Sequence, residues 1–318
     1  MILIINILLL IAGFALLVKG ADYLIDGSVA IARRIGVSEL FIGLTIVAFG
    51  TSAPELAVSI KAAISGSGIA IGNVLGSNVA NVALILGAVA IFQPLKISRS
   101  TIRKEIPFVV VASIATGMLL LSGSMALNRY DGIVLLCFFV IFVDYLFAMA
   151  RDDRILELEE EKAIPHLEHK IGLAILATVG GLVGVVFGSD LVVKSGIELA
   201  RAFGVSDTLI GVTLVAFGTS LPELVTSITA GIKKKADLAI GNIVGSNIFN
   251  LLLVLGVSSV ISPIRADRDI TQDIVFTLAS IVFLLLLSGF RRRKLGRTGG
   301  VLLLSLYVAY IYMSLRAG

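Results

Sequence analysis

Two glutamates lie inside long apolar stretches of the sequence, each directly after a proline. Glu55 follows Pro54 and Glu223 follows Pro222, and a Gly-Thr-Ser triplet precedes each pair by one residue. An ionisable side chain at the centre of an apolar span costs about 3 kcal/mol on insertion scales, and such residues usually serve a function. Because a buried carboxylate has little structural use, we expect both glutamates to belong to a binding site.

The two prolines also predict where backbone oxygens become available. Proline has no N–H to donate to the carbonyl four residues earlier, and its ring clashes with that carbonyl. Pro54 therefore frees the carbonyl of Gly50, and Pro222 frees that of Gly218. Irregular backbone at membrane depth must be buried in protein or line a cavity, so these carbonyls are expected to face a cation or water. Hydroxyl groups stand beside them at Thr51, Ser52, Thr219 and Ser220.

A second polar segment follows each proline segment in the chain. Ser77 and Asn81 are four residues apart, as are Ser246 and Asn250, so each pair is predicted to share one helix face. Small residues four apart allow two helices to approach closely. Such pairs and two further asparagines occur in these segments: Gly72 with Gly76, Gly241 with Gly245, Asn78 and Asn247. Close approach would bring the polar faces against the glutamates.

All the candidate ligand atoms are oxygens, which calcium and sodium prefer; calcium takes about 6–8 of them. Zinc and copper favour sulfur or imidazole ligands, and the two histidines, His166 and His169, lie in neither segment. Two carboxylates balance one calcium or two sodium ions, so competition for one site is a physical basis for exchange. A hydrolase using Ser52 or Ser220 would need a nearby base, and we expect no enzyme activity.

The polar segments belong to an internal repeat. Residues 41–60 match residues 209–228 at fourteen of twenty positions, and residues 68–87 match residues 237–256 at eleven of twenty. Apolar composition alone would not align the proline, glutamate, asparagine and glycine positions. With five predicted spans in each half, an odd number, the second half must be inverted relative to the first. Inverted repeats with a midplane site at their interface are a recurring transporter plan.

Composition predicts an all-α integral membrane protein. Of 318 residues 57% are hydrophobic and only 15% are charged, and the mean hydropathy is +1.03. A spanning helix needs about 20 apolar residues. We predict about ten spans in two inverted five-helix repeats, with helices broken at the midplane: 2–26, 38–64, 69–92, 105–122, 130–149, 171–197, 206–231, 237–262, 272–290 and 299–315. The apolar N-terminus is expected to be a retained first span, and the single cysteine, Cys137, cannot form an internal disulfide.

The basic residues predict the orientation. Alternate connections carry 18 lysines and arginines on one side and 5 on the other, and basic loops stay cytoplasmic. The cell membrane is the expected location, with both termini extracytoplasmic. The expected organisation is a first repeat over 1–150, a cytoplasmic linker over 151–170 and a second repeat over 171–318. Because the basic excess follows topology, we expect no nucleic-acid partner.

The doubled GTSxPE and GNxxGSNxxN motifs resemble the two alpha-repeats of the sodium/calcium exchanger family, most closely its compact prokaryotic members. The resemblance covers essentially the whole chain. It implies four ion sites between the repeats, with Glu55 and Glu223 as central ligands and the first and sixth spans sliding to give alternating access. It further implies side-chain oxygens from Thr51, Ser52, Thr219, Ser220, Ser77, Ser246, Asn81 and Asn250, and backbone carbonyls from Ala48 and Ala216. No cofactor and no obligatory protein partner is implied beyond the lipid bilayer and the transported calcium and sodium ions.

Several alternatives to sodium-coupled calcium exchange stay open. Some family members carry aspartate where this chain has Asn250. Here both halves carry asparagine, at Asn81 and Asn250, so the site has two full charges instead of three. The stoichiometry and the potassium dependence of exchange are therefore open. Proton coupling is a second alternative, because burial favours protonated carboxyl groups. A cation channel would use similar selectivity chemistry but would need no counter-ion. The paired broken helices favour a transporter.

Overall fold

The computed structural model describes residues 2–122, 125–160, 171–205, 218–290 and 293–317. Helices make up most of these parts of the chain, together with four two-residue strands and short connecting segments. The first-half elements are α1 Ile2–Ile35, α2 Glu39–Ile42, π1 Gly43–Val47, α3 Ala48–Thr51, α4 Ala53–Ile64, α5 Ile69–Val79, π2 Ala80–Leu86, α6 Gly87–Phe92, β1 Leu95–Lys96, α7 Arg99–Arg103, α8 Glu105–Ser122, β2 Ala126–Leu127 and α9 Arg129–Glu160. The second-half elements are α10 Ile171–Ala202, α11 Leu221–Ile232, α12 Ala236–Ile248, π3 Phe249–Val254, α13 Leu255–Ile261, β3 Ile264–Arg265, α14 Thr271–Phe290, β4 Lys294–Leu295 and α15 Arg297–Ala317.

Within the described ranges, eight helical segments are long and apolar enough to cross a membrane, and the bent pair 39–51 with 53–64 makes nine. Of the predicted span 206–231, residues 206–217 lie outside the described part of the chain. The count of ten therefore stays a prediction.

Two helices extend further than their apolar residues predicted. Helix α1 continues to Ile35, and α9 continues to Glu160, into the first half of the predicted linker. Residues 151–160 are rich in arginine, leucine and glutamate, which are good helix formers. Residues 161–170 of the predicted linker are outside the described ranges.

The predicted break at the first proline is confirmed. Segments 39–51 and 53–64 meet at an angle of 44°, and Ser52 separates them with φ −83° and ψ 1°. Pro54 then lies in the first turn of α4, where a missing N–H leaves no bond unmade. Pro222 occupies the equivalent position at the start of α11.

Helices α1 and α10 pack antiparallel along rows of glycines. A Cβ atom added to these α1 glycines would lie close to backbone nitrogens of α10: 3.0 Å from Val192 for Gly13, 2.7 Å from Val185 for Gly20 and 2.6 Å from Thr178 for Gly27. Residue numbers rise along α1 as they fall along α10, so the two helices are antiparallel. Nothing larger than hydrogen fits between the two backbones at these points. The small side chains therefore set the spacing of this helix pair.

The short strands join the two halves of the chain reciprocally. Strand β1 pairs antiparallel with β4, with Leu95 opposite Leu295. Strand β2 pairs antiparallel with β3, with Leu127 opposite Ile264. Because β1 and β3 occupy equivalent repeat positions, as do β2 and β4, each half contributes one strand to each pair.

The segments that carry the polar motifs form the centre of the molecule. In the most apolar stretch of α5–π2–α6, 78% of residues are buried, and in that of α12–π3–α13 the share is 83%, against 17% for α1. Large apolar side chains on α1, α9, α10 and α15 are exposed, as expected for helices that face lipid. Polar residues thus lie at the core, and apolar ones cover it.

Candidate cation-binding site

Glu223 lies in the first turn of α11 and is fully buried. Its Oε1 accepts a hydrogen bond from the Ser52 hydroxyl and another from the Ser246 hydroxyl, each at 3.3 Å. Ser52 is the residue at the bend between α3 and α4, so the first half of the chain reaches the second-half glutamate. The other oxygen, Oε2, has no hydrogen-bond partner among the described residues.

Glu55 lies at the equivalent position in the first turn of α4 and is also fully buried. Thr219, from the opposite half, and Ser77 interact with its carboxylate. Neither carboxylate oxygen has a hydrogen bond of ordinary geometry to a described atom. Since an ionised carboxylate buried without partners is strongly unfavourable, this position calls for a cation or a proton.

Four asparagines form a hydrogen-bonded network between the halves. The Nδ2 of Asn81 donates to Oδ1 of Asn247 at 3.0 Å, and the Nδ2 of Asn250 donates to Oδ1 of Asn78 at 3.1 Å. Asn78 and Asn247 also donate to each other's backbone carbonyls, at 3.2 and 3.3 Å. These bonds leave the Oδ1 atoms of Asn81 and Asn250 buried and without a described partner. Both are therefore neutral oxygens available to a ligand.

Two further asparagines contact the site threonines. The Thr51 hydroxyl donates to Oδ1 of Asn242 at 3.1 Å, and the Thr219 hydroxyl donates to Oδ1 of Asn73 at 3.2 Å. Sequence reasoning did not single out Asn73 or Asn242. Extending the four-residue spacing one step earlier would have found them, because Asn73 precedes Ser77 as Asn242 precedes Ser246.

The remaining candidate residues have these positions. The Ser220 hydroxyl donates to the Ser77 hydroxyl at 3.2 Å. The carbonyl of Ala48 accepts the Ser52 N–H at 3.0 Å and lies 3.4 Å from the Thr51 hydroxyl. Ala216 lies outside the described residues.

The carbonyl of Gly218 contacts α10. The hydroxyl of Ser189 donates to this carbonyl at 3.0 Å, so a protein group is one partner of the carbonyl that Pro222 is predicted to free. The residue of α1 that corresponds to Ser189 in the repeat is Ala21. An alanine side chain has no hydroxyl with which to repeat this bond at Gly50.

The glycine pairs differ between the halves. A Cβ at Gly241 would lie 3.0 Å from the Cα of Gly43, and one at Gly245 would lie 3.0 Å from the Cα of Leu44. The predicted close approach is thus confirmed for the α12 pair, which packs on π1. Around Gly72, no described atom comes within 4 Å of an added Cβ, and at Gly76 the Tyr310 hydroxyl is 3.5 Å away.

Two of the three described π-helical segments contain site residues. Asn81 lies in π2 and Asn250 in π3, while π1 ends directly before Ala48. A π-helical turn interrupts the regular backbone bonding pattern and occurs often at functional sites. The apolar periodicity of the sequence contained no sign of these segments.

The site as a whole offers buried oxygens with no protein partner in the described structure: both carboxylate oxygens of Glu55, Oε2 of Glu223, and Oδ1 of Asn81 and Asn250. Hydroxyl groups surround them. No cluster of three or more His, Cys, Asp or Glu residues occurs in the ranges that the structure covers. Oxygen ligands with two formal charges suit a hard cation such as calcium or sodium.

A family model described as "Sodium/calcium exchanger protein" matches residues 5–148 and again residues 173–316. The chain is 37% identical over 316 residues to the putative antiporter CaxA of Alkalimonas amylolytica, covering 95% of this chain and 96% of that protein. It is 33% identical over 353 residues to the sodium/calcium exchanger MaX1 of Methanosarcina acetivorans, covering 96% and 97%.

Solved structures of the sodium-calcium exchanger NCX_Mj have the same fold. For NCX_Mj soaked without sodium or calcium, the TM-score is 0.84 at 31% identity, covering 98% of this chain and 99% of that one. For NCX_Mj soaked in 2.5 mM sodium and 0.1 mM calcium, the TM-score is also 0.84.

Proposed function

The chain belongs to the sodium/calcium exchanger family, and from this premise we propose that it exchanges calcium for sodium across the cell membrane. It is a multi-pass membrane exchanger of cations and not an enzyme. The observation that carries the proposal is the set of buried, unpartnered oxygens around Glu55 and Glu223. Burying oxygens without hydrogen-bond partners costs free energy and does not stabilise the fold. Such a set suits a dehydrated hard cation.

The proposed ligands are the two glutamates together with Thr51, Ser52, Ser77, Asn81, Thr219, Ser220, Ser246 and Asn250, and the carbonyls of Ala48 and Ala216. One calcium ion or two sodium ions neutralise the two carboxylates. Calcium and sodium then exclude each other by charge, because a third positive charge would remain uncompensated in a buried site. Mutual exclusion at one site couples the two fluxes.

The proposed architecture is two inverted repeats over 1–150 and 171–318, joined by a linker over 151–170, with ten spans and both termini outside. Three observations support it: the antiparallel packing of α1 on α10, the reciprocal strand pairs, and the reciprocal bonds of Asn78 and Asn247. Each joins the two halves of the chain in a reciprocal way: the helix pair and the asparagine pair join counterparts, and each strand pair takes one strand from each half. We propose that α1 and α10 slide as a pair across the remaining helices to open the site to each side in turn.

Proton coupling is the second candidate, and the surroundings of Glu55 favour it. A buried carboxyl group that lacks a hydrogen bond of ordinary geometry to the described residues could release calcium by taking up a proton, since burial favours the neutral form. The same glutamates would then serve a proton/calcium exchanger.

The deciding experiment is uptake of radiolabelled calcium by proteoliposomes loaded with sodium and diluted into sodium-free buffer. We expect uptake that requires internal sodium and persists with a proton ionophore. Vesicles loaded with potassium and vesicles given a pH jump run in parallel. Uptake driven by the pH jump would support proton coupling, and uptake without any counter-ion would indicate a channel; either result would refute sodium coupling.

A further inference from the structure

We propose that Asn242 is a positioning residue: it accepts the hydroxyl proton of Thr51, and so turns the lone pairs of that hydroxyl, and the carbonyl of Ala48, toward the transported cation. This inference rests on the proposed function, in which both Thr51 and Ala48 are ligands. It adds a residue that does not itself touch the ion. Asn242 is fully buried in α12, one turn before Ser246.

The starting point is the single proton of the Thr51 hydroxyl. A hydroxyl oxygen binds a cation through its lone pairs, so its proton must point away from the ion to another acceptor. Three acceptors lie in reach: Oδ1 of Asn242 at 3.1 Å, the carbonyl of Ala48 at 3.4 Å and the Ser246 hydroxyl oxygen at 3.5 Å. The asparagine is the nearest of the three.

The choice between these acceptors affects two ligands at once. A helical threonine ordinarily bonds back to a carbonyl three or four residues earlier, which here is the carbonyl of Ala48. That bond would occupy the Ala48 oxygen and compete with a cation. When Asn242 accepts the proton instead, the Thr51 hydroxyl no longer occupies the Ala48 carbonyl, which accepts the Ser52 N–H.

Ser227 determines which end of the Asn242 amide faces Thr51. The Nδ2 of Asn242 donates to the Ser227 hydroxyl at 2.9 Å, which directs Oδ1 to the opposite side, toward Thr51. A rotated amide would present Nδ2 to Thr51 and occupy the lone pair that the cation needs. Ser227 is fully buried in α11, one turn after Glu223.

The other half of the chain contains the same residues without this anchor. Thr219 donates to Asn73, but the Nδ2 of Asn73 and the hydroxyl of Ser59, the counterpart of Ser227, have no hydrogen-bond partner among the described atoms. The two serines are alike in type, repeat position and burial. Ser59 therefore provides a matched control for Ser227.

The first test is direct binding of radiolabelled calcium to the purified protein in detergent, at equilibrium and without sodium. We expect Asn242→Leu, which keeps the shape of the side chain and removes the acceptor, to weaken calcium binding about 10- to 100-fold, as is typical for residues that orient metal ligands. Size-exclusion elution before and after mild heating shows whether the variant is folded. Unchanged or tighter binding by folded Asn242→Leu would overturn the proposal.

The second test separates positioning from general packing. Thr51→Val removes the hydroxyl that Asn242 would position. In that background, Asn242→Leu should therefore weaken calcium binding much less than it does in the otherwise unchanged protein. Ser227→Ala should weaken binding, whereas Ser59→Ala should leave it unchanged. Additive losses in the double variant, or equal effects of the two serine variants, would show that Asn242 acts only as packing.

These results are independent of the counter-ion. A protein that failed to exchange calcium for sodium in vesicles would refute the proposed function and leave the binding comparison intact. A sodium-coupled exchanger in which Ser59→Ala and Ser227→Ala behave alike would refute only the positioning role.

Discussion

Glu55 and Glu223 occupy equivalent positions of the repeat but have different surroundings. Glu223 accepts hydrogen bonds from Ser52 and Ser246, whereas Glu55 has none of ordinary geometry among the described residues. The two carboxylates are unequal partners although the motifs around them are nearly identical.

At the scale of the residue, we expect Glu55→Gln and Glu223→Gln each to abolish calcium transport, reducing it by at least about 100-fold, because a neutral amide cannot balance a desolvated divalent cation. Membrane insertion should be unaffected, since glutamine is easier to bury than glutamate. Radiolabelled calcium uptake into proteoliposomes measures the transport.

Glu198→Gln is the control for this pair, because Glu198 is an exposed carboxylate on α10, 51% accessible, that pairs with Arg201. It should transport calcium at the normal rate. Normal uptake by either Glu55→Gln or Glu223→Gln would remove that glutamate from the site.

At the scale of the element, glycines determine how closely α1 and α10 approach. A Cβ at Gly181 would lie 2.3 Å from the backbone nitrogen of Leu24, and backbone cannot move aside as a flexible side chain can. At the neighbouring Gly180, no described atom comes within 4 Å of an added Cβ. Adjacent residues of one helix thus differ completely in the space that they have.

We expect Gly181→Val to destabilise the protein by roughly 1–3 kcal/mol, as overpacking of a close interface does, and to reduce calcium uptake. Gly180→Val should leave both unchanged. The chain contains no tryptophan, so the fraction that stays monodisperse in size-exclusion chromatography after heating is a suitable measure. Equal loss in both variants would indicate that helix propensity, and not the contact with α1, is responsible.

The broken helices are set by local chemistry, and their partners by packing. Pro54 and Pro222 each lie in the first turn of a new helix, which follows from the missing N–H alone. The group that then bonds the carbonyl of Gly218 is Ser189, 29 residues earlier in the chain. No local rule connects these two residues.

At the scale of the whole molecule, the asymmetry of the basic residues predicts opposite sides for the two ends of α9. Tyr130, 80% exposed, lies at the end expected outside, and Asp152 lies at the end expected in the cytoplasm. In a Cys137→Ser background, an impermeant maleimide on intact cells should label Tyr130→Cys and spare Asp152→Cys. Permeabilised cells should label both, and the reverse pattern on intact cells would invert the topology.

The sequence by itself determined the membrane class, the duplication, the burial of the two glutamates and the break at Pro54. Each depends on composition, spacing or local backbone chemistry, which neighbouring residues in the chain decide. A carboxylate within an apolar span is conspicuous whatever the fold around it.

Only the tertiary structure decided which oxygens stay free. Asn81 and Asn250 offer Oδ1 because Asn247 and Asn78, from the opposite halves, accept their N–H groups. Asn242 differs from Asn73 because its Nδ2 donates a hydrogen bond to Ser227, whereas Asn73 makes no such bond to Ser59. These distinctions arise from contacts between residues far apart in the chain. A hydroxyl or amide binds a cation only through atoms that no other partner has taken, and packing decides which partners are within reach.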